Sequence, residues 1–195
     1  MVTVMDLLPS RKELVRAKRC VERMKNAKSY DEYDEAWSDF LSRIENVYGK
    51  IKVAAAQHKK YPSFSSKTNY LRDSDSLLIY LKQARNSAHH GIADTSKYVP
   101  GGFSIYPEKQ GGMVHIKSIS FDSNGGATIV PGSPMRVEVT QSSVEAVPCR
   151  NRGITYNPPQ SHLGQEVNSK NPIVIAELGI TFYESYLLCA EEIFL

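Results

Sequence analysis

The chain is poor in cysteine, with 3 in 195 residues, and Cys20, Cys149 and Cys189 form no CxxC pair. A disulfide framework and a zinc ribbon are therefore not expected. Charge of one sign is scarce too: 24 Lys and Arg against 21 Asp and Glu leave a formal charge of +3. That balance falls short of a nucleic-acid-binding tail. No long apolar run is uninterrupted. The longest, 173–195, is broken by Glu177, Glu184, Glu191 and Glu192, which makes it a core helix and excludes a membrane partner. Met1 to Ser10 has no basic n-region and does not read as a secretory signal. With an odd set of thiols, the expected compartment is reducing and cytoplasmic.

Catalytic signatures are also missing. His58, His115 and His162 sit in no ligand spacing such as HExxH, so neither a metal nor a cofactor is expected. Gly101-Gly102 and Gly111-Gly112 lack the lysine or later glycines of a phosphate-binding loop and read as turns. Ser104 and Ser118 have no nucleophile elbow around them. There is no internal repeat and no low-complexity segment.

What the chain does have is periodicity. Ser10 and Glu13 stand at capping-box spacing, and Leu14, Val15, Val21 and Met24 recur near a helical period, predicting a helix over about 11–27. The same device at Ser29 and Glu32 opens a second helix reaching about His58, with an apolar stripe through Tyr33, Trp37, Phe40, Leu41, Ile44, Tyr48 and Ile51. Its aromatics, with Tyr30, are expected in the core, not stacked on bases. Residues 60–69, Ser-rich and containing Pro62, read as a loop. Asp73 or Asp75 caps a third helix with Leu77, Leu78, Leu81, Ala84 and Ala88 inward, stopped by Gly91. Asn171 and Pro172 open the last helix.

Between 92 and 170 alternation of period two replaces the helical period. Strands are expected at about 102–106, 114–121, 127–130 and 135–140, with Ser123-Asn124-Gly125-Gly126 as a hairpin turn. Residues 148–170 look irregular. The expected fold is mainly α, a four-helix bundle carrying a β-rich insertion at 92–170 before the last helix, α+β overall and a single domain over 1–195.

Chemistry concentrates at Arg85-Asn86-Ser87-Ala88-His89-His90, on the last turns of the third helix. At ~100° per residue, Arg85 and His89 lie near one line, and Asn86 and His90 near the next. An imidazole takes a proton from a ribose 2′-hydroxyl at neutral pH, and the alkoxide attacks the adjacent phosphorus. A guanidinium stays charged and binds two phosphoryl oxygens at once. The purely structural alternative is a helix end whose Asn and His satisfy carbonyls and whose cations complement the helix dipole.

Arg85-Asn86-x-x-x-His90 resembles the R-N-x-x-x-H form of the Arg-x(4–6)-His motif of the HEPN superfamily, and the helices at 11–27, 30–58, 73–90 and 171–193 resemble its bundle more loosely. The resemblance implies a metal-independent endoribonuclease, a toxin or defence effector. It makes Arg85 and His90 the catalytic pair with Asn86 beside them, in a composite site across a homodimer. RNA is the implied substrate and an antitoxin or other protein a possible partner. His89 falls outside the motif's spacing and is a candidate RNA contact, as are Arg16, Arg19 and Arg23 in the basic first helix. The alternative within the same resemblance is a non-catalytic module that dimerises and binds RNA or protein. A HEPN domain ordinarily passes to its next helix by a short loop, and the insertion departs from that.

Overall fold

A computed structural model of the chain describes residues 6–89, 94–123 and 126–194. The fold is mixed α and β. Five helices occur among the described residues: α1 (Leu8–Asn26), α2 (Tyr30–Ala55), α3 (Tyr61–Ser74), α4 (Ser76–His89) and α5 (Pro172–Phe194). Two compact units divide the chain, one of residues 1–98 with 144–195 and one of residues 99–143. The excursion expected at 92–170 is thus split, because 144–170 belongs with the helices.

α1 starts earlier than its capping-box spacing predicts. Asp6 Oδ1 accepts from Leu8 N at 2.9 Å, and Pro9, which has no amide hydrogen to lose, stands in the first turn. Ser10 and Glu13 are therefore inside the helix and buried. At α2 the same spacing does cap: Ser29 Oγ accepts from Glu32 N at 3.2 Å, and Glu32 Oε2 accepts from Lys28 N at 2.8 Å. The loop expected at 60–69 is α3. Pro62 occupies the first turn of that helix, the position where proline favours a helix start. Asp75 is the single residue between α3 and α4, and its Oδ1 accepts from Leu78 N at 3.1 Å. Asn171 Oδ1 accepts from Ile173 N at 2.8 Å and from the Tyr33 hydroxyl at 3.3 Å, which ties the start of α5 to α2.

Salt bridges set the register of the bundle. Arg23 reaches Glu35 and Asp39 while Glu13 receives Arg43 and Lys50, so α1 and α2 run antiparallel. Along α1 and α5, Lys25 meets Glu177 at 2.9 Å, Lys18 meets Glu184 at 2.7 Å and Arg11 meets Glu191 at 2.6 Å. Each step is seven residues on both helices, the repeat that keeps one seam of a helix facing its neighbour. Three of the glutamates that break the apolar run are thereby spent on α1. By length and composition α5 is long and apolar enough to cross a membrane, and 39% of that window is buried within the fold.

The core lies among α1, α2, α4 and α5. Trp37 stacks on Phe40 with centroids 5.6 Å apart, and Leu41, Ile44, Ile51, Leu77, Leu78, Leu81, Ile175 and Tyr183 are buried around them. Each such side chain contributes roughly 1.5–3 kcal/mol by leaving water. A Cβ on Gly179 would sit 2.8 Å from Leu81 Cδ1; a hydrogen there lets α5 approach α4 closely. Arg72 of α3 is buried as well. Its guanidinium donates to Glu45 and to the Tyr183 hydroxyl and lies 3.8 Å over the Tyr48 ring.

Ten short strands accompany the helices among the described residues. β1 (Ser96–Val99) pairs with β6 (Ser143–Ala146). The second unit holds two antiparallel ribbons, β2 (Gly102–Pro107) with β5 (Met135–Thr140) and β3 (Ile116–Phe121) with β4 (Ala127–Pro131). These match the expected strands to within two residues. The tip of the expected turn, Asn124 and Gly125, lies outside the described residues, as does Gly91. The alternation there does not mark a buried face: Phe103, Phe121, Val137 and Val139 are exposed, since a two-stranded ribbon has no second layer to cover them.

The stretch expected to be irregular contains two further hairpins. β7 (Cys149–Asn151) pairs with β8 (Ile154–Tyr156) and β9 (Ser161–His162) with β10 (Gln165–Glu166). Each turn is two residues with both φ positive, Arg152-Gly153 at 49° and 82° and Leu163-Gly164 at 49° and 82°. That is the type I′ pattern whose twist matches the strands.

Candidate functional site

Residues 85–89 of the motif occupy the last turns of α4. Leu77, Leu78, Leu81 and Ala84 form its fully buried face, and Arg85 and Asn86 follow at its half-buried edge. Arg85 Nη1 donates to Asn86 Oδ1 at 3.2 Å. Arg85 Nε is buried and has no hydrogen-bond partner among the described residues, and neither does the Ser87 hydroxyl. Leaving a buried donor unpaired is costly, and such atoms gather where a structure is shaped for something besides stability. His89 closes the helix, but its side chain is not among the described groups, and His90 lies outside the described residues altogether. The Arg85–His90 separation is therefore a matter of spacing along the chain.

The flanks of the site are tied down. Asn151 Nδ2 of β7 donates to Gln83 Oε1 at 2.7 Å. Trp37 Nε1 donates to Thr95 Oγ1 at 3.0 Å, and the Tyr80 hydroxyl lies 2.9 Å from the Val147 carbonyl and 3.3 Å from that of Thr95. The Tyr30 hydroxyl reaches the Ser96 carbonyl at 2.9 Å, and Ser96 Oγ donates to Asp34 at 2.6 Å. α2, α4, 95–96 and β7 thus form one hydrogen-bonded frame beneath the end of α4. Burial pushes the Tyr80 phenol well above its ordinary value, so it is a fixed hydroxyl and not a base. The Cys149 thiol is likewise pushed up to about 11 by burial, too high for a nucleophile at neutral pH.

The basic candidates of α1 separate in the structure. Arg23 is committed to Asp39 at 2.5 Å and Glu35 at 3.3 Å. Arg16 donates to Glu13 at 2.7 Å with half of its side chain exposed. Arg19 has no ion pair among the described residues. Lys12, Arg16 and Arg19 line one shallow groove along α1 with Leu8 and Val15.

Sequence reasoning missed the feature beside that groove. The Glu13 side chain is 2% exposed and accepts from Arg16 at 2.7 Å, Arg43 at 3.2 Å and Lys50 at 2.7 Å. Burial alone would raise its pKa, but Lys50, Arg43 and Arg16 outweigh that and hold the carboxyl below its usual range. Only the burial of a glutamate on the inward face of α1, next to Leu14 and Ala17, hints at this in the sequence.

Among the described residues the histidines and cysteines do not converge. His58 packs on Phe194, His162 pairs with Asp75 at 3.0 Å beside Phe182, and no cluster of three or more metal-ligating residues occurs among the described residues. Asp75 also accepts from Leu163 N at 2.8 Å, so the His162–Asp75 pair pins a hairpin to the start of α4. No protein-family model, curated protein or solved structure gives a significant match to the chain.

Proposed function

We propose that the protein is a HEPN-type endoribonuclease that cleaves RNA without metal, as a homodimer. The observation that carries this reading is the Arg85-Asn86-x-x-x-His90 spacing in the sequence, with Arg85 and Asn86 on the last turns of α4. His90 takes the proton from a ribose 2′-hydroxyl, and its oxygen attacks the adjacent phosphorus. The P–O5′ bond breaks and O5′ takes up a proton from solvent, the one gained by His90 being returned there, which leaves a 2′,3′-cyclic phosphate and a 5′-hydroxyl. Arg85 neutralises charge on the phosphoryl oxygens, and Asn86 orients the guanidinium, a role that the Nη1 to Oδ1 contact supports. The buried Nε, which has no partner among the described residues, leaves donor capacity on Arg85 beyond what Asn86 uses. A bundle of the HEPN kind rests on the motif and the helix order, a cytoplasmic location on cysteine usage, and a toxin or defence role with an antitoxin partner on the motif alone; all belong to the same proposal.

The test is cleavage of varied RNAs in EDTA by wild type, His90→Ala and Arg85→Ala. Removal of a general base should cost about 10²–10⁴-fold in rate, with circular dichroism unchanged. Equal rates in all three proteins would refute the assignment.

A non-catalytic RNA-binding module is the second reading, favoured by the cations around Glu13. Binding that survives His90→Ala, with no cleavage by any form, would establish it instead.

A further inference from the structure

We infer that the face shared by the first half of α1 and the second half of α2 is a binding platform for the phosphate backbone of single-stranded RNA, organised by the buried Glu13. The charge of the α1–α2 pair is segregated. Asp31, Glu32, Asp34, Glu35 and Asp39 all lie in the first half of α2, where Glu35 and Asp39 meet Arg23. At the opposite end Arg16, Arg43 and Lys50 surround the Glu13 carboxylate, Lys12 and Arg19 stand along α1 beside Arg16, and Glu45, the acid in the second half of α2, is taken by Arg72. The other α1 cations are spent: Arg11, Lys18 and Lys25 on α5, Arg23 on α2.

Glu13 acts as an anchor. One acid cannot neutralise three bases, so the cluster keeps a net positive charge with the negative member sealed beneath it. Arg16, Arg43 and Lys50 keep 51%, 39% and 40% of their side-chain exposure. Each therefore presents further N–H donors to solvent. Held in place from below, they lose less freedom on meeting an anion than unrestrained surface cations do. Lys12 and Arg19 extend the cluster along the α1 groove and have no ion pair among the described residues. Three restrained cations at Glu13, continued along a shallow groove of α1 by Lys12 and Arg19, suit a chain of phosphates, whose binding is driven by counterion release. The choice of RNA rests on the proposed nuclease function, but the platform is separate in sequence from the Arg85 motif.

The test is fluorescence anisotropy with a fully 2′-O-methylated oligonucleotide, which has no free 2′-hydroxyl and reads binding apart from cleavage. Titrations run at about 50 and 200 mM salt. Wild type should bind, more weakly at the higher salt. Arg43→Gln/Lys50→Gln and Lys12→Gln/Arg19→Gln should each lose about tenfold or more in affinity, and the salt slope should fall by roughly 0.7 for each phosphate contact removed. Lys12 and Arg19 carry no ion pair among the described residues, so the second variant decides the matter should the first fail to fold. Lys109→Gln/Lys117→Gln, with the same change in charge on the second unit, should bind as wild type does. Unchanged affinity and slope in both platform variants would overturn the inference, as would failure of wild type to bind. A wild type that binds only vesicles rich in phosphatidylserine would overturn it as well. Platform binding without any cleavage would sink the nuclease reading alone.

Discussion

Glu13→Gln should destabilise the fold at neutral pH and leave it unchanged in acid. The buried carboxylate accepts three charge-assisted hydrogen bonds, each worth about 1.5–3 kcal/mol to a charged group. The sum overstates the loss, because Arg16, Arg43 and Lys50 are partly exposed and regain water when released. Glutamine also keeps one acceptor oxygen. The residual cost, mutual repulsion of three cations and an imperfectly paired buried amide, is about 2 kcal/mol. The pH dependence separates charge from shape. The folded-state pKa lies below the ordinary 4.5, so the carboxylate contributes stability above that value and loses it as pH falls through the lowered one. Urea unfolding at pH 7 should show the wild type more stable by about 2 kcal/mol. The gap should narrow steadily below pH 4.5. A gap absent at pH 7, or undiminished in acid, would refute the electrostatic account.

Three further outcomes follow from other clusters. Arg72→Ala strips Glu45 and the wholly buried Tyr183 hydroxyl of their partner, and urea melts should show a loss of about 3–5 kcal/mol; a loss under 1 kcal/mol would mean the guanidinium is dispensable. Asp75→Ala removes the α4 cap together with the Leu163 and His162 contacts, for about 2 kcal/mol by the same measure. A milder cost, matching a lone exposed cap, would show that the hairpin is not pinned there. Iodoacetamide at pH 8 should label exposed Cys189 first, with Cys20 and Cys149 following only on unfolding, since burial raises both of their thiol pKa values; early labelling of Cys149 would contradict its burial.

Local signals in the sequence were legible where one element decided the outcome. Ser29 caps α2, Asn171 and Pro172 start α5, and the strands of the second unit fall where alternation places them. Where the deciding partner lay on another element, the local signal misled. Ser10 and Glu13 have capping-box spacing, but Pro9 starts the helix earlier and Glu13 is drawn inward by cations from α2. Pro62 read as a breaker, though a proline in a first turn breaks nothing. Arg152-Gly153 and Leu163-Gly164 take φ values usually supplied by Asn-Gly, so their hairpins went unseen. The Glu177, Glu184 and Glu191 ladder looked like interruption because its other half is on α1. At the candidate site the Arg85–Asn86 pairing follows from adjacency. The platform needed α1 and α2 side by side.

The central claim is that a 2′-hydroxyl attacks phosphorus under the control of Arg85 and His90. It is tested most directly with a DNA oligonucleotide carrying one ribonucleotide, incubated in EDTA. The account predicts a single cut on the 3′ side of that ribose, ending in a 2′,3′-cyclic phosphate, absent with the all-deoxy strand and lost in Arg85→Ala and His90→Ala proteins that remain folded. Cutting of the all-deoxy strand, or cutting undiminished in both variants, would contradict it.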